Sequence, residues 1–215
     1  MRIASRAVLQ RSLWIGAGLV WMGAVVYGLG ALMQYDNSPG DAAQAPAEWP
    51  HDSAIVRNAQ GPTLVMLAHP RCDCTRASVG ELAELLARVP NRPRTYVVFI
   101  KPSAGGRDWE QTALWRRAAA IPGVIVLRDD EGKEARAFGV RTSGQVLLYD
   151  PAGRLQYSGG TTGGRGKAGD NFGRASIIQI LTGMPAQTNR PVFGCPLFSP
   201  ADERSAPPHR HATLD

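Results

Sequence analysis

From Ser12 to Tyr35 no side chain carries a charge, and the stretch Leu13 to Met33 is apolar apart from its glycines. About 20 such residues are what a helix needs to cross a bilayer. A backbone in hydrocarbon must satisfy its own N–H and C=O groups, which restricts such a stretch to a helix. Arg2, Arg6 and Arg11 precede it, so the N-terminus is expected in the cytoplasm and the remainder outside it, in the periplasm. A secretory signal has a shorter apolar region, about 7–15 residues, with small residues close behind. Here the small-residue stretch Ala42 to Ala47 lies well beyond the apolar run, so the expectation is an uncleaved anchor of a single-pass membrane protein. The chain then divides into a cytoplasmic N-terminus (1–12), a transmembrane anchor (13–35), a flexible linker (36–52), a folded domain (53–184) and a proline-rich tail (185–215).

The formal net charge of +6 is half due to those three arginines. What is left is too small, and too evenly spread, to imply nucleic-acid binding. No Ser–His–Asp set, paired-carboxylate motif or dinucleotide fingerprint is present, which leaves hydrolase and dehydrogenase readings without support. The glycine-rich loop Gly159 to Gly169 is not a phosphate loop: Thr161 stands where the first glycine is needed, and Ala168 follows Lys167 where Ser or Thr is required. Arg165 and Lys167 in that loop would offer cations to an acidic partner, or simply be solvated.

Hydrophobic patterning predicts an alternating order of strands and helices. Thr63 to Ala68 reads as a buried strand. Val79, Leu82, Leu85, Leu86 and Val89 recur at helical spacing, and Pro90-Asn91 stops that helix. Thr95 to Ile100 is a β-branched and aromatic run typical of a central strand. A helix from Trp109 to about Ile121, capped by Asp108, places Trp109 and Trp115 as packing residues. Val124 to Leu127 is a strand and Glu131 to Phe138 a short helix closed by Gly139. Gln145 to Tyr149 and Arg154 to Ser158 form a hairpin around Asp150-Pro151-Ala152-Gly153, with Asp, Pro and Gly where a type I turn prefers them. Asp170 caps a last helix that Gly183 ends. Alternation followed by a hairpin implies an α/β fold with a mixed sheet and helices on both faces.

Two of the three cysteines, Cys72 and Cys74, stand at the first strand-to-helix turn, in Ala68-His69-Pro70-Arg71-Cys72-Asp73-Cys74-Thr75. A helix N-terminus favours a thiolate, the form that acts as nucleophile and metal ligand. Arg71 and Arg76 would reinforce this and Asp73 would oppose it. Positions two apart on a helix point in nearly opposite directions, so Cys72 and Cys74 can pair only if Cys72 lies ahead of the first turn. Their small ring would be strained and easily reduced. Cys72, nearer the loop, is taken as the less shielded nucleophile. Cys195 lies in Val192-Phe193-Gly194-Cys195-Pro196-Leu197-Phe198, apolar enough to pack. It is either a resolving thiol or a small residue without a partner.

This order of elements, with cysteines at the first strand-to-helix turn, resembles the thioredoxin superfamily, and in particular its membrane-anchored, exported TlpA-type branch. The resemblance covers about residues 53–183. Leu64 to Cys74 matches the strand leading into the family's A-x-W-C-x-x-C, and Phe138-Gly139-Val140-Arg141-Thr142-Ser143-Gly144 matches its Y-G-I-x-x-x-P segment. In that register Cys74 takes the second cysteine position, Arg71 the first, Gly144 the place of the family's cis-proline and Val65 that of a buried acid. The resemblance implies a thioredoxin-like mixed sheet and a thiol–disulfide oxidoreductase without cofactor, acting on protein thiols or disulfides. Cys72 and Cys74 would be its catalytic pair, Cys195 a possible resolving thiol, and His69, Arg71, Asp73 and Gly144 would line the site.

Two other classes stay open. His69, Cys72, Cys74 and Cys195 form a donor set suited to zinc or cuprous copper, and His209 and His211 form a weak metal-binding tract at best. A tethered interaction module without turnover is the third.

Overall fold

The computed structural model describes residues 2–199, with side chains from residue 10 onward. It separates into two units, one ending at Ser38 and one beginning at Pro39. The first is a single helix, α1 (Arg2–Asn37). Its stretch Gln10–Asn37 is long and apolar enough to cross a membrane.

The second unit is built on β1 (Thr63–Ala68), a strand buried along its whole length. β1 pairs in parallel with β2 (Arg94–Lys101) and antiparallel with β4 (Gln145–Tyr149). β3 (Val124–Asp130) extends the sheet beside β2, and β5 (Leu155–Gly159) beside β4, giving the order β3-β2-β1-β4-β5. Successive strand side chains point to opposite faces, so β1 feeds two cores. Leu64, Met66 and Ala68 meet Val79, Leu82, Leu85 and Leu86 of α2 (Asp73–Arg88), with Leu114 of α3 (Ala113–Ala119) and Ile177 of α5 (Phe172–Leu181). Val65 and Leu67 meet Ala135 of α4 (Lys133–Ala137), Phe138 and Tyr149 on the other face. The expected mixed sheet with helices on both faces is what forms.

Three helix boundaries differ from expectation. α3 begins only at Ala113, and its cap is Thr112 rather than Asp108. Thr112 Oγ1 accepts from Trp115 N–H and donates to the Pro70 carbonyl at 2.8 Å, which ties the helix start to the cysteine loop. Asp108 bonds Gln111 instead, and Trp109 is drawn off helix by His69 and Arg71. α4 is shortened because Glu131 and Gly132 both adopt left-handed backbone, at φ 62° and 70°. α5 is capped by Asn171, whose side chain accepts from Arg174 N–H at 2.8 Å, while Asp170 pairs with the Arg174 guanidinium.

The segments flanking the expected domain are not free of it. Residues 39–49, read from sequence as linker, run as a strap along the sheet. Gly40 N–H donates to Val192 O, Gln44 N–H to Gly139 O and Trp49 N–H to Gly153 O. Trp49 stands edge-on to Phe138 and Tyr149, each at 5.1 Å. The proline-, glycine- and alanine-rich composition of the strap hid this, because on its own side the hydrogen bonds are made by main-chain atoms. On the other side, Ser158 of β5 exchanges backbone bonds with Thr188 and Arg190, and the tail then crosses to residues 141–143. His209 and His211 lie outside the described residues.

Gly139 gives this arrangement a direct test. Its φ is +63°, and a Cβ there would stand 2.2 Å from Gln44 O. Gly139→Ala is therefore expected to destabilise the domain by about 1–3 kcal/mol and to open residues 39–49 to proteolysis. A melting curve and a protease digest read both effects; an unchanged digest would mean the strap is not held there.

Candidate functional site

The site forms where β1 ends and α2 begins. Cys72 is the N-cap residue of α2, in extended backbone (φ −95°, ψ 111°), and its side chain makes no capping bond. Its sulfur is therefore free to turn toward the tail. Cys72 Sγ stands 2.8 Å from Cys195 Sγ, and the sulfurs of Cys72, Cys74 and Cys195 all lie within 4.8 Å of one another. None of the three is in a disulfide.

Cys72 is 3 % exposed, more shielded than Cys74. This reverses the sequence expectation, and the reason is the tail, which covers it. Cys72 still forms part of the wall of a cleft of about 420 Å³ with Pro70, Arg71, Asp73, Thr112 and Arg117.

The tail is seated by backbone pairing. Ser143 N–H donates to Cys195 O at 2.9 Å and Leu197 N–H to Arg141 O at 2.7 Å, around an antiparallel bridge between Thr142 and Pro196. Val192 and Leu197, 2 % and 4 % exposed, anchor it on either side of Cys195. The Arg165 guanidinium donates to Gly194 O, so this cation of the glycine-rich loop serves the chain itself rather than an outside partner.

The cysteines divide their ionisation unequally. The Cys72 thiol is pulled down to about 4, chiefly because the Cys195 thiol hydrogen-bonds to its sulfur, with Thr75 adding to the effect against the opposing cost of burial. Cys195 is pushed up by the same bond and by burial. Cys74 is raised by burial first and then by the charge on Cys72. The opposite shifts favour thiolate on Cys72 and thiol on Cys195. The arginines expected to stabilise the thiolate are engaged elsewhere: Arg71 lies over the Trp109 ring at 4.8 Å, and Arg76 pairs with Asp73 at 3.0 Å on the exposed face of α2.

His69 belongs to the loop scaffold rather than the sulfur cluster. Its Nδ1 accepts from Arg71 N–H, its own N–H donates to Ser143 Oγ, and burial lowers its pKa. Gly144 has φ +87°, and its N–H, a group proline lacks, donates to Leu67 O at 2.8 Å. Sequence reasoning did not find Thr75 and Ser143, whose buried hydroxyls stand 2.6 Å apart beneath the cysteines. Thr75 stands between Cys74 and Arg76 and Ser143 between Thr142 and Gly144, in polar stretches where no spacing marks either.

No family model and no curated protein matches the chain. Among solved structures, a hypothetical protein of Sinorhizobium meliloti is similar at 21 % identity and TM-score 0.50, over 75 % of this chain and 96 % of that one. An uncharacterized conserved protein of Geobacillus kaustophilus is similar at 17 % identity and TM-score 0.52, over 76 % and 94 %. A secreted disulfide oxidoreductase of Mycobacterium tuberculosis is similar at 11 % identity and TM-score 0.43, over 59 % and 84 %. Three parallel strands extended by an antiparallel hairpin, with cysteines where the first of them passes into its helix, make this a thioredoxin-like fold.

Proposed function

We propose that this chain is a membrane-tethered, extracytoplasmic thiol–disulfide oxidoreductase acting on protein thiols or disulfides, with Cys72 and Cys195 as its working couple. The observation that carries this reading is the 2.8 Å approach of Cys195 Sγ to a Cys72 sulfur at a helix N-terminus. Arg2, Arg6 and Arg11 ahead of the apolar helix support the orientation.

In the reducing direction the Cys72 thiolate attacks a substrate disulfide. A Cys72–substrate S–S bond forms, and the other substrate sulfur leaves as a thiolate, which takes the Cys195 proton. The Cys195 thiolate then attacks Cys72 Sγ, closing a Cys72–Cys195 disulfide and releasing the second substrate sulfur as a thiolate, which takes its proton from water. Two electrons pass to the substrate. Run backwards, the same steps oxidise a dithiol. A thiolate as stable as that of Cys72 is a good leaving group and favours the reduced protein, so the couple is an oxidising one.

A second reading has one observation behind it, the clustering of three sulfurs. They would suit a soft ion such as cuprous copper, or zinc with a further donor. His69 is not part of the cluster. Two thiolates on one zinc stand about 3.8 Å apart, from a Zn–S bond of about 2.3 Å, so Cys72 and Cys195 at 2.8 Å are placed for a bond with each other.

Alkylation mapping of aerobically purified protein before and after reduction, with metal measured in the same sample, separates the two. A Cys72–Cys195 disulfide without stoichiometric metal is the expected result. Copper or zinc released on alkylation, or three free thiols, would overturn the redox reading.

A further inference from the structure

We propose that the start of the strap, Gly40 and Asp41, and the side chain of Thr142 form a clamp that positions Cys195 against Cys72 and governs how readily the tail lifts. The inference rests on the thiol–disulfide reading above and names what regulates that couple. Thr142 is 2 % exposed and packs against two glycines, one on the strap and one on the tail. Its Oγ1 donates to Asp41 O at 2.9 Å. A Cβ at Gly40 would stand 2.5 Å from Thr142 Cγ2 and 2.6 Å from its Oγ1. A Cβ at Gly194 would stand 3.3 Å from the same Cγ2. The strap also reaches the tail directly, through Gly40 N–H to Val192 O at 2.8 Å.

Residues 192–197 belong to no helix or strand, so no repeating ladder of hydrogen bonds fixes them. Their place depends on separate contacts with residues 141–143, with Arg165 and with the strap. A segment held in this way gains backbone freedom with each contact it loses, which shifts the balance from seated to lifted.

The sulfur chemistry follows that balance in two opposed ways. Cys195 Sγ stands 2.8 Å from Cys72 Sγ only while the tail is seated. Cys72 is 3 % exposed under it, so a bulky disulfide reaches Cys72 only while the tail is lifted. A loosened clamp therefore speeds capture of a disulfide by Cys72 and slows closure of the Cys72–Cys195 bond.

The test uses the reduced full-length protein in detergent and a chromogenic aromatic disulfide. All samples carry Cys74→Ser, so that only two thiols react. The Cys72 thiolate attacks the reagent, forming a Cys72–aryl disulfide and releasing one coloured thiolate. Cys195 loses its proton to the buffer and attacks Cys72 Sγ, forming Cys72–Cys195 and releasing a second coloured thiolate. Two absorbance phases thus read capture and closure in one trace. Thr142→Val keeps the shape and removes the bond to Asp41, and Gly40→Ala pushes Thr142 or the strap out of place. Each should speed capture and slow closure by about fivefold, the effect of one lost hydrogen bond on a seat that opens and shuts. Thr142→Ser, which keeps the hydroxyl, should retain the parent rates. Tyr149→Phe removes a bond farther along the strap, from the Tyr149 hydroxyl to Pro46 O at 3.0 Å. It should lower the melting temperature and leave both rates unchanged. Parent rates in both Thr142→Val and Gly40→Ala, or the same changes in Tyr149→Phe, would overturn the clamp. A parent that releases only one equivalent would overturn the Cys72–Cys195 couple instead, and the variants would still report the clamp through the capture phase.

Discussion

Cys72→Ser is expected to bring disulfide exchange down to the buffer background, whereas Cys195→Ala should keep a reactive Cys72 but change its pH dependence. In the reduced wild type the ultraviolet absorbance of the Cys72 thiolate should rise with a midpoint of about 4. The largest cause of that low value is the hydrogen bond from Cys195. Alanine removes the donor, and the midpoint should move up toward the ordinary cysteine value. Each pKa unit is tenfold in ionisation, so at pH 5 the thiolate population should fall by at least about tenfold. An unchanged midpoint would mean that the helix terminus and Thr75 suffice, and that Cys195 is not the partner of Cys72.

The same shifts fix how the stability of the reduced protein varies with pH. Cys72 is depressed in the folded state, so its contribution is complete above the ordinary cysteine range and is lost as pH falls toward about 4. Cys195 is raised, so its contribution is present below the ordinary range and is lost as pH climbs above it. Stability of the reduced form relative to the oxidised one should therefore rise from about pH 4 to near the ordinary cysteine pKa, about 8.5, and decline beyond it. Paired melting curves of the two redox forms across that range measure it. A flat difference would contradict these opposite shifts.

The largest stability effect is expected at Glu81, in the middle of α2. Its carboxylate is 3 % exposed and takes the guanidinium of Arg174, which is 5 % exposed. It also accepts from Gly169 N–H at 2.7 Å and Asn171 Nδ2 at 3.0 Å. One buried side chain thus holds both the start of α5 and the end of the glycine-rich loop. Glu81→Ala leaves Arg174 a buried cation whose remaining partner, Asp170, is solvent-exposed. Removing one member of a buried pair costs about 3–5 kcal/mol, and denaturant titration of the detergent-solubilised chain should show a loss in that range. Because the loop carries Arg165 to the tail carbonyl at Gly194, the variant should also react faster with cysteine reagents. Replacing both residues by apolar ones of similar size should recover most of the stability, since no charge is then left unpaired. A loss below about 1 kcal/mol in the single variant would mean that water reaches the pair.

Much of the fold was legible in the sequence, because it rests on local patterns. The run Thr63 to Ala68 coincides with β1, Gln145 to Tyr149 with β4, and Val79 to Leu86 with the buried face of α2. Such periodicities survive in one dimension because each element buries one face or two. Boundaries were less legible where a side chain bonds across the molecule. Thr112 ends its turn on Pro70, and Trp109 follows His69 and Arg71 rather than continuing α3.

By itself the sequence determined that an uncharged apolar helix precedes an α/β domain with two cysteines at a strand-to-helix turn. These are statements about hydrophobicity and chain direction. Only the tertiary structure decided which sulfur meets which. Cys72 and Cys74 are two apart in the chain, yet the 2.8 Å neighbour of Cys72 is Cys195, 123 residues away. That approach depends on backbone bonds between the tail and residues 141–143, and such bonds are made by main-chain atoms common to all residues. The apolar residues around Cys195 signal that the tail packs, but no side-chain pattern sets the register of those bonds, and so the neighbour of the third cysteine and the burial of the first emerged only when the chain was folded.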